Sequence, residues 1–103
     1  MYFEPRTPAS SIKIKDLRPG VRHVQVEGRV LQKEIVSRSA KPLAKALISD
    51  ETGEITLNLW RDQIEQAKVG DTIRITDGFV KVWAGKLELS TWAKIEVVNR
   101  EQA

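Results

Sequence analysis

The chain has no cysteine, and among its 103 residues there is one histidine, His23. Disulfide stapling and thiolate metal sites are excluded. A lone imidazole near the start of a strand reads as an ordinary surface or partly buried side chain rather than a catalytic base. No glycine-rich phosphate loop is present. No apolar run approaches the roughly 20 residues needed to span a membrane, and residues 1–8 lack the apolar core of a secretory signal. A cytoplasmic protein is the default expectation, with no membrane partner. Charge of one sign is also scarce: 17 Lys plus Arg face 14 Asp plus Glu, a formal net charge of +3. The choice of partner therefore rests on where the charges sit rather than on their sum.

Aromatics are few, at 6% of the chain, and their positions carry information. In Ile55-Thr56-Leu57-Asn58-Leu59-Trp60 the aliphatic residues share one parity and Trp60 takes the other. In Phe79-Val80-Lys81-Val82-Trp83 the two aromatics and the lysine stand together opposite the valines. A domain of this size has little reason to place its largest apolar side chains outside its core. Flat rings beside a lysine suit a ligand that is planar and anionic by turns, as unpaired nucleic acid is. Packing at the end of a sharply bent strand is the alternative explanation of such rings. Trp92 follows Leu87-Glu88-Leu89-Ser90 with the outward parity and is an additional stacking candidate, although Thr91 marks a bend before it.

The length fits one domain with a single modest core. Residues 1–11 read as an N-terminal arm, residues 12–98 as the domain and residues 99–103 as a short C-terminal tail. After the turn at Arg18-Pro19-Gly20, alternation from Val24 predicts a long first strand reaching Val36, with Gly28 marking a sharp bend. Residues 37–42 form a loop and residues 43–49 the second strand. Asp50-Glu51-Thr52-Gly53 is a hairpin turn into a third strand over residues 54–60. A turn or two of helix follows, with Asp62 as its cap, and ends at Val69-Gly70-Asp71. The fourth strand covers residues 72–82 with an irregularity at Asp77-Gly78. Ala84-Gly85 then turns the chain into a fifth strand over residues 86–90. Residues 95–98 alternate too weakly to separate a sixth strand from an extension of the fifth. The expected fold is all-β: a small, five-stranded, partly open Greek-key barrel with a short helix between strands 3 and 4, the OB-fold. An SH3-like barrel has no natural place for that helix.

The ordered set Leu17-Arg18-Pro19-Gly20, then Ile48-Ser49-Asp50-Glu51-Thr52-Gly53 through Trp60, then Val69-Gly70-Asp71-Thr72-Ile73-Arg74-Ile75, then Gly78 through Leu89 resembles the simple archaeal single-stranded DNA-binding proteins. It is similar also to the OB-domain subunit of the eukaryotic DNA-damage sensor complex and, more distantly, to DNA-binding domains of replication protein A. The resemblance implies stacking of bases on Trp60, Phe79 and Trp83, the three residues that strand parity selects. The loop over residues 37–42 is short beside those relatives in which it clamps the strand.

Lys33, Arg38, Lys41, Lys45, Arg61, Lys81 and Lys86 are the candidate phosphate contacts, whereas Glu51, Glu54, Glu65 and Asp71 fall on turns or the helix away from the aromatic trio. Asp50, Glu51, Glu54 and Asp62 are explained by turn and cap chemistry without a metal, and neither a cofactor nor an enzymatic activity is expected. The expected function is sequence-tolerant binding of single-stranded DNA in replication, recombination or repair, with roughly 4–6 nucleotides covered per domain. An RNA-binding module, such as a transfer-RNA-binding domain, and a protein-interaction subunit of a larger assembly are the alternatives. Stacking residues alone do not separate DNA from RNA.

Overall fold

The computed structural model describes residues 11–99. The expected arm and tail therefore fall almost wholly outside the described residues. A 3-10 turn at Ile14–Asp16 precedes β1 (Val24–Ser37), β2 (Leu43–Asp50) and β3 (Gly53–Trp60). A four-residue helix, α1 (Gln63–Gln66), leads to β4 (Thr72–Trp83), β5 (Lys86–Ser90) and β6 (Glu96–Asn99).

Alternation explains the strands. β4 buries Ile73, Ile75 and Val80 and turns Arg74 and Thr76 outward; β3 buries Ile55, Leu57 and Leu59. Together with Val26, Val30, Ile48 and Leu89 these side chains form one core, closed from below by Ile14 and Leu17 of the 3-10 turn and by Ile64 and Ala67 beside α1. Fully burying each large aliphatic is worth about 1.5–3 kcal/mol.

β1 is shared. Its first half, Val24 to Arg29, pairs antiparallel with β4, and its second half, from Arg29, pairs antiparallel with β2. The changeover comes at Gly28, where an added Cβ would lie 3.0 Å from the Ser49 carbonyl oxygen and 3.3 Å from the Ile48 Cβ. Glycine is what lets the strand bend this closely over β2. The irregularity expected at Asp77-Gly78 is a register shift: Val24 faces Gly78 whereas Val26 faces Ile75, and Asp77 has φ of 53°.

The five-stranded barrel requires correction. Among the described residues there are six strands in one mixed sheet of order β1-β2-β3-β5-β4-β6, with β3 and β5 parallel. The sheet coils on itself through the two-sided pairing of β1, but β3 and β5 meet over two residue pairs alone, Thr56–Glu88 and Leu57–Leu89, too short a seam to make a closed barrel. The weakly alternating residues 95–98 belong to the sixth strand, which pairs antiparallel with the start of β4 rather than prolonging β5. Its signal is weak because Glu96 and the exposed Val98 and Asn99 lie at a sheet margin. The expected cap also differs: Asp62 makes no side-chain capping bond to α1.

Candidate nucleic-acid interface

Register assembles one outward face from four strands. On β4, Phe79, Lys81 and Trp83 lie opposite Ser90, Glu88 and Lys86 of β5. Glu88 lies beside Thr56 of β3, and Asn58 and Trp60 continue that parity. Trp60 and Asn58 in turn face Leu43 and Lys45 of β2. Because β3 runs parallel to β5, the ends of both strands come to one margin of the face. Trp60 and Phe79 sit there, and Trp83 sits at the opposite margin beside the β4–β5 turn.

Trp83 is 65% exposed, while Trp60 and Phe79 are half-buried. Trp92, 80% exposed, leans against Phe79 with ring centroids 5.7 Å apart and an interplanar angle of 34°. The structure thus gathers Trp60, Phe79 and Trp92 at one margin and leaves Trp83 at the other. Thr91 makes the bend that sends Trp92 outward: its hydroxyl donates to the Thr76 carbonyl at 2.6 Å and accepts from the Ala93 N–H at 3.0 Å.

The floor between the margins is polar and internally satisfied. Lys45 Nζ donates to Asn58 Oδ1 at 2.7 Å and to both Glu88 carboxylate oxygens at 3.0 and 3.1 Å. Asn58 Nδ2 donates to Glu88 Oε1 and to Ser90 Oγ, each at 3.1 Å. A carboxylate buried in the middle of this face is therefore neutralised by the lysine across it.

The seven candidate phosphate contacts separate accordingly. Lys81 and Lys86 are exposed and flank Trp83. Lys41 and Arg61 are exposed beside Trp60, and Arg38 is exposed on the loop before β2. Lys45 is held by Glu88. Lys33 points away from the face, its Nζ donating to the carbonyls of Ile64 and Ala67 at 2.7 and 2.8 Å, where it closes the end of α1. Two cations that the sequence did not single out stand beside the rings: Lys94 lines the cleft of Trp60 and Trp92, and Arg22 the smaller cleft of Phe79 and Trp92. Neither is near its ring partner on β3 or β4 in sequence, so only the tertiary pairing reveals them. In the smaller cleft His23 Nδ1 and Asp77 Oδ1 are 2.5 Å apart and largely exposed.

Among the described residues no group of three His, Asp or Glu side chains could hold a metal ion. None of the described helices is long and apolar enough to cross a membrane.

A family model described as an OB-fold nucleic acid binding domain matches residues 24–99. The single-stranded DNA binding protein Ssb of Saccharolobus solfataricus is 24% identical over 95 residues, which cover 87% of this chain and 64% of that protein. Replication factor A of Methanothermobacter thermautotrophicus is 25% identical over 95% of this chain, which spans 13% of its length. The crystal structure of a replication protein A domain from Methanococcus maripaludis superposes with a TM-score of 0.72 at 26% identity, covering 88% of this chain and 98% of that one. With most of its core, its shared first strand and about three quarters of its length inside the matched region, the chain belongs to the OB-fold nucleic acid binding domain family, as an archaeal-like member related to the single-stranded DNA-binding and replication protein A domains.

Proposed function

We propose that this domain binds single-stranded DNA with little sequence preference, stacking bases on Trp60, Phe79 and Trp83 and placing phosphates against Lys81, Lys86, Lys41 and Arg61. It is a binding module and not an enzyme. The observation that carries this reading is the common outward face on which β3 and β4 set those three rings, with exposed cations at both margins and none of the three in the main core. Stacking tolerates any base because each offers a π face, and the satisfied polar floor has few groups left to interrogate base edges. The name of the Saccharolobus relative, a single-stranded DNA binding protein, points to the same ligand class.

Alanine at Trp60, Phe79 or Trp83 is expected to weaken binding of a labelled single strand by about 1–3 kcal/mol each. Fluorescence anisotropy measures the affinity and circular dichroism the fold. Folded variants with unchanged affinity would remove the stacking role. Titration of RNA of the same sequence decides the ligand's sugar, and tighter binding to RNA would replace DNA in this reading.

A further inference from the structure

Beyond the sheet face, the connection between β5 and β6 and the start of α1 flank a cleft of about 600 Å³ lined by Trp60 and Trp92. That volume lies within the roughly 300–1,000 Å³ of small-ligand sites. Lys41, Arg61 and Lys94 line it against one carboxylate, Asp62. Four segments contribute, and one buried side chain fixes their spacing. Gln63 Oε1 accepts the Trp60 N–H at 3.0 Å, while its Nε2 donates to the carbonyls of Thr91 and Ala93 at 2.8 and 2.9 Å. The backbones carrying the two indoles are therefore tied to a common point, and the Arg61 N–H is held by the Pro42 carbonyl at 3.0 Å, which brings the Lys41 loop to the same rim. Two indole walls beneath a cationic rim fit a planar group bearing a phosphate.

We propose that this cleft is an additional nucleotide subsite, in which the strand leaves the sheet past Trp60, inserts one base against Trp92 and sets that nucleotide's phosphate among Lys41, Arg61 and Lys94. The proposal rests on the single-strand reading above and extends it by one position. Gln63 is spent on backbone bonds, so it does not read the base, which is accepted by its face.

The test is a length series of oligothymidylates, about 4–8 nucleotides, titrated against the parent, Trp92→Ala and Lys94→Gln. For the parent, affinity should step up about tenfold at the length that first fills the cleft. In Trp92→Ala that step should vanish while shorter strands bind as before. Because Trp92 also touches Phe79, Lys94→Gln supplies the independent reading: its salt slope should fall by about 0.7 on strands beyond the step and stay unchanged on shorter ones. Equal weakening at every length would place Trp92 and Lys94 in the sheet-face site and overturn the subsite, as would unchanged affinity at all lengths. A parent that binds no length would instead overturn the single-strand reading beneath it.

Discussion

Glu88 shows how far a residue's role depends on its partners. Lys45 sits on the outward face as the sequence pattern suggests, yet its charge is spent on a carboxylate 43 residues away. Removing that counter-charge should release it: Glu88→Gln is expected to keep the fold, since the amide is nearly isosteric, and to steepen the salt dependence of single-strand binding by about 0.7. Anisotropy titrations over one salt range for parent and variant measure this, and an unchanged slope would mean that Lys45 reaches no phosphate even when free. Lys33 makes the opposite case. Its two bonds to the carbonyls closing α1 are structural, so Lys33→Met should lower stability by about 1.5–3 kcal/mol in denaturant unfolding while leaving the salt slope of the folded protein as it was. Strand parity made the shared outward face of Trp60, Phe79 and Trp83 legible because it depends only on neighbouring residues. The fates of Lys33 and Lys45 were not legible, because each is decided by groups that only the folded chain brings near.

At the scale of elements, the turns were read more faithfully than the strand count. Asp50 closes the β2–β3 hairpin as its sequence context suggests: its Oδ1 accepts from the Thr52 and Gly53 N–H groups and the Thr52 hydroxyl, while Oδ2 accepts from the Ile14 N–H at 2.8 Å and ties the 3-10 turn to the hairpin. Burial pushes this carboxyl up, but the hydrogen bonds from Thr52, Ile14 and Gly53 outweigh it and hold it below its ordinary value. A depressed folded pKa stabilises the protein above the unfolded value of about 3.9 and ceases to do so as pH falls through the folded one. Thermal unfolding should therefore show Asp50→Ala less stable than the parent at neutral pH by about 1–3 kcal/mol, with the gap narrowing on acidification below about pH 4. A gap independent of pH would assign the loss to packing.

The Ala84-Gly85 turn was also legible, but not its strain. Ala84 has φ of 52° and Gly85 of 79°, both on the left-handed side, as a two-residue hairpin requires. Alanine is poorly suited to that region, and Ala84→Asn is expected to raise stability by about 0.5–1 kcal/mol, read as a higher Tm. An equal or lower Tm would contradict the strain. The sixth strand and the parallel β3–β5 seam escaped the sequence for another reason. Pairing direction is set by the path of the whole chain, and β6 carries too few buried residues to print a pattern of its own.

For the molecule as a whole, a net charge of +3 is too small to make a general polyanion binder. In the proposed mode of binding the cations act because they stand beside rings, and the rings act by stacking on base faces. In a closed duplex those faces are already stacked, so the domain must either forgo the aromatic contribution or open base pairs at a cost of a few kcal/mol. Discrimination between single and double strands is thus the property that follows most directly from stacking. The direct measurement is competition of an unlabelled single strand and a blunt GC-rich duplex of equal length against one labelled oligonucleotide at moderate salt. At least about a 100-fold preference for the single strand, roughly 2.7 kcal/mol, is expected; equal competition by the duplex would rule out base stacking as the source of binding.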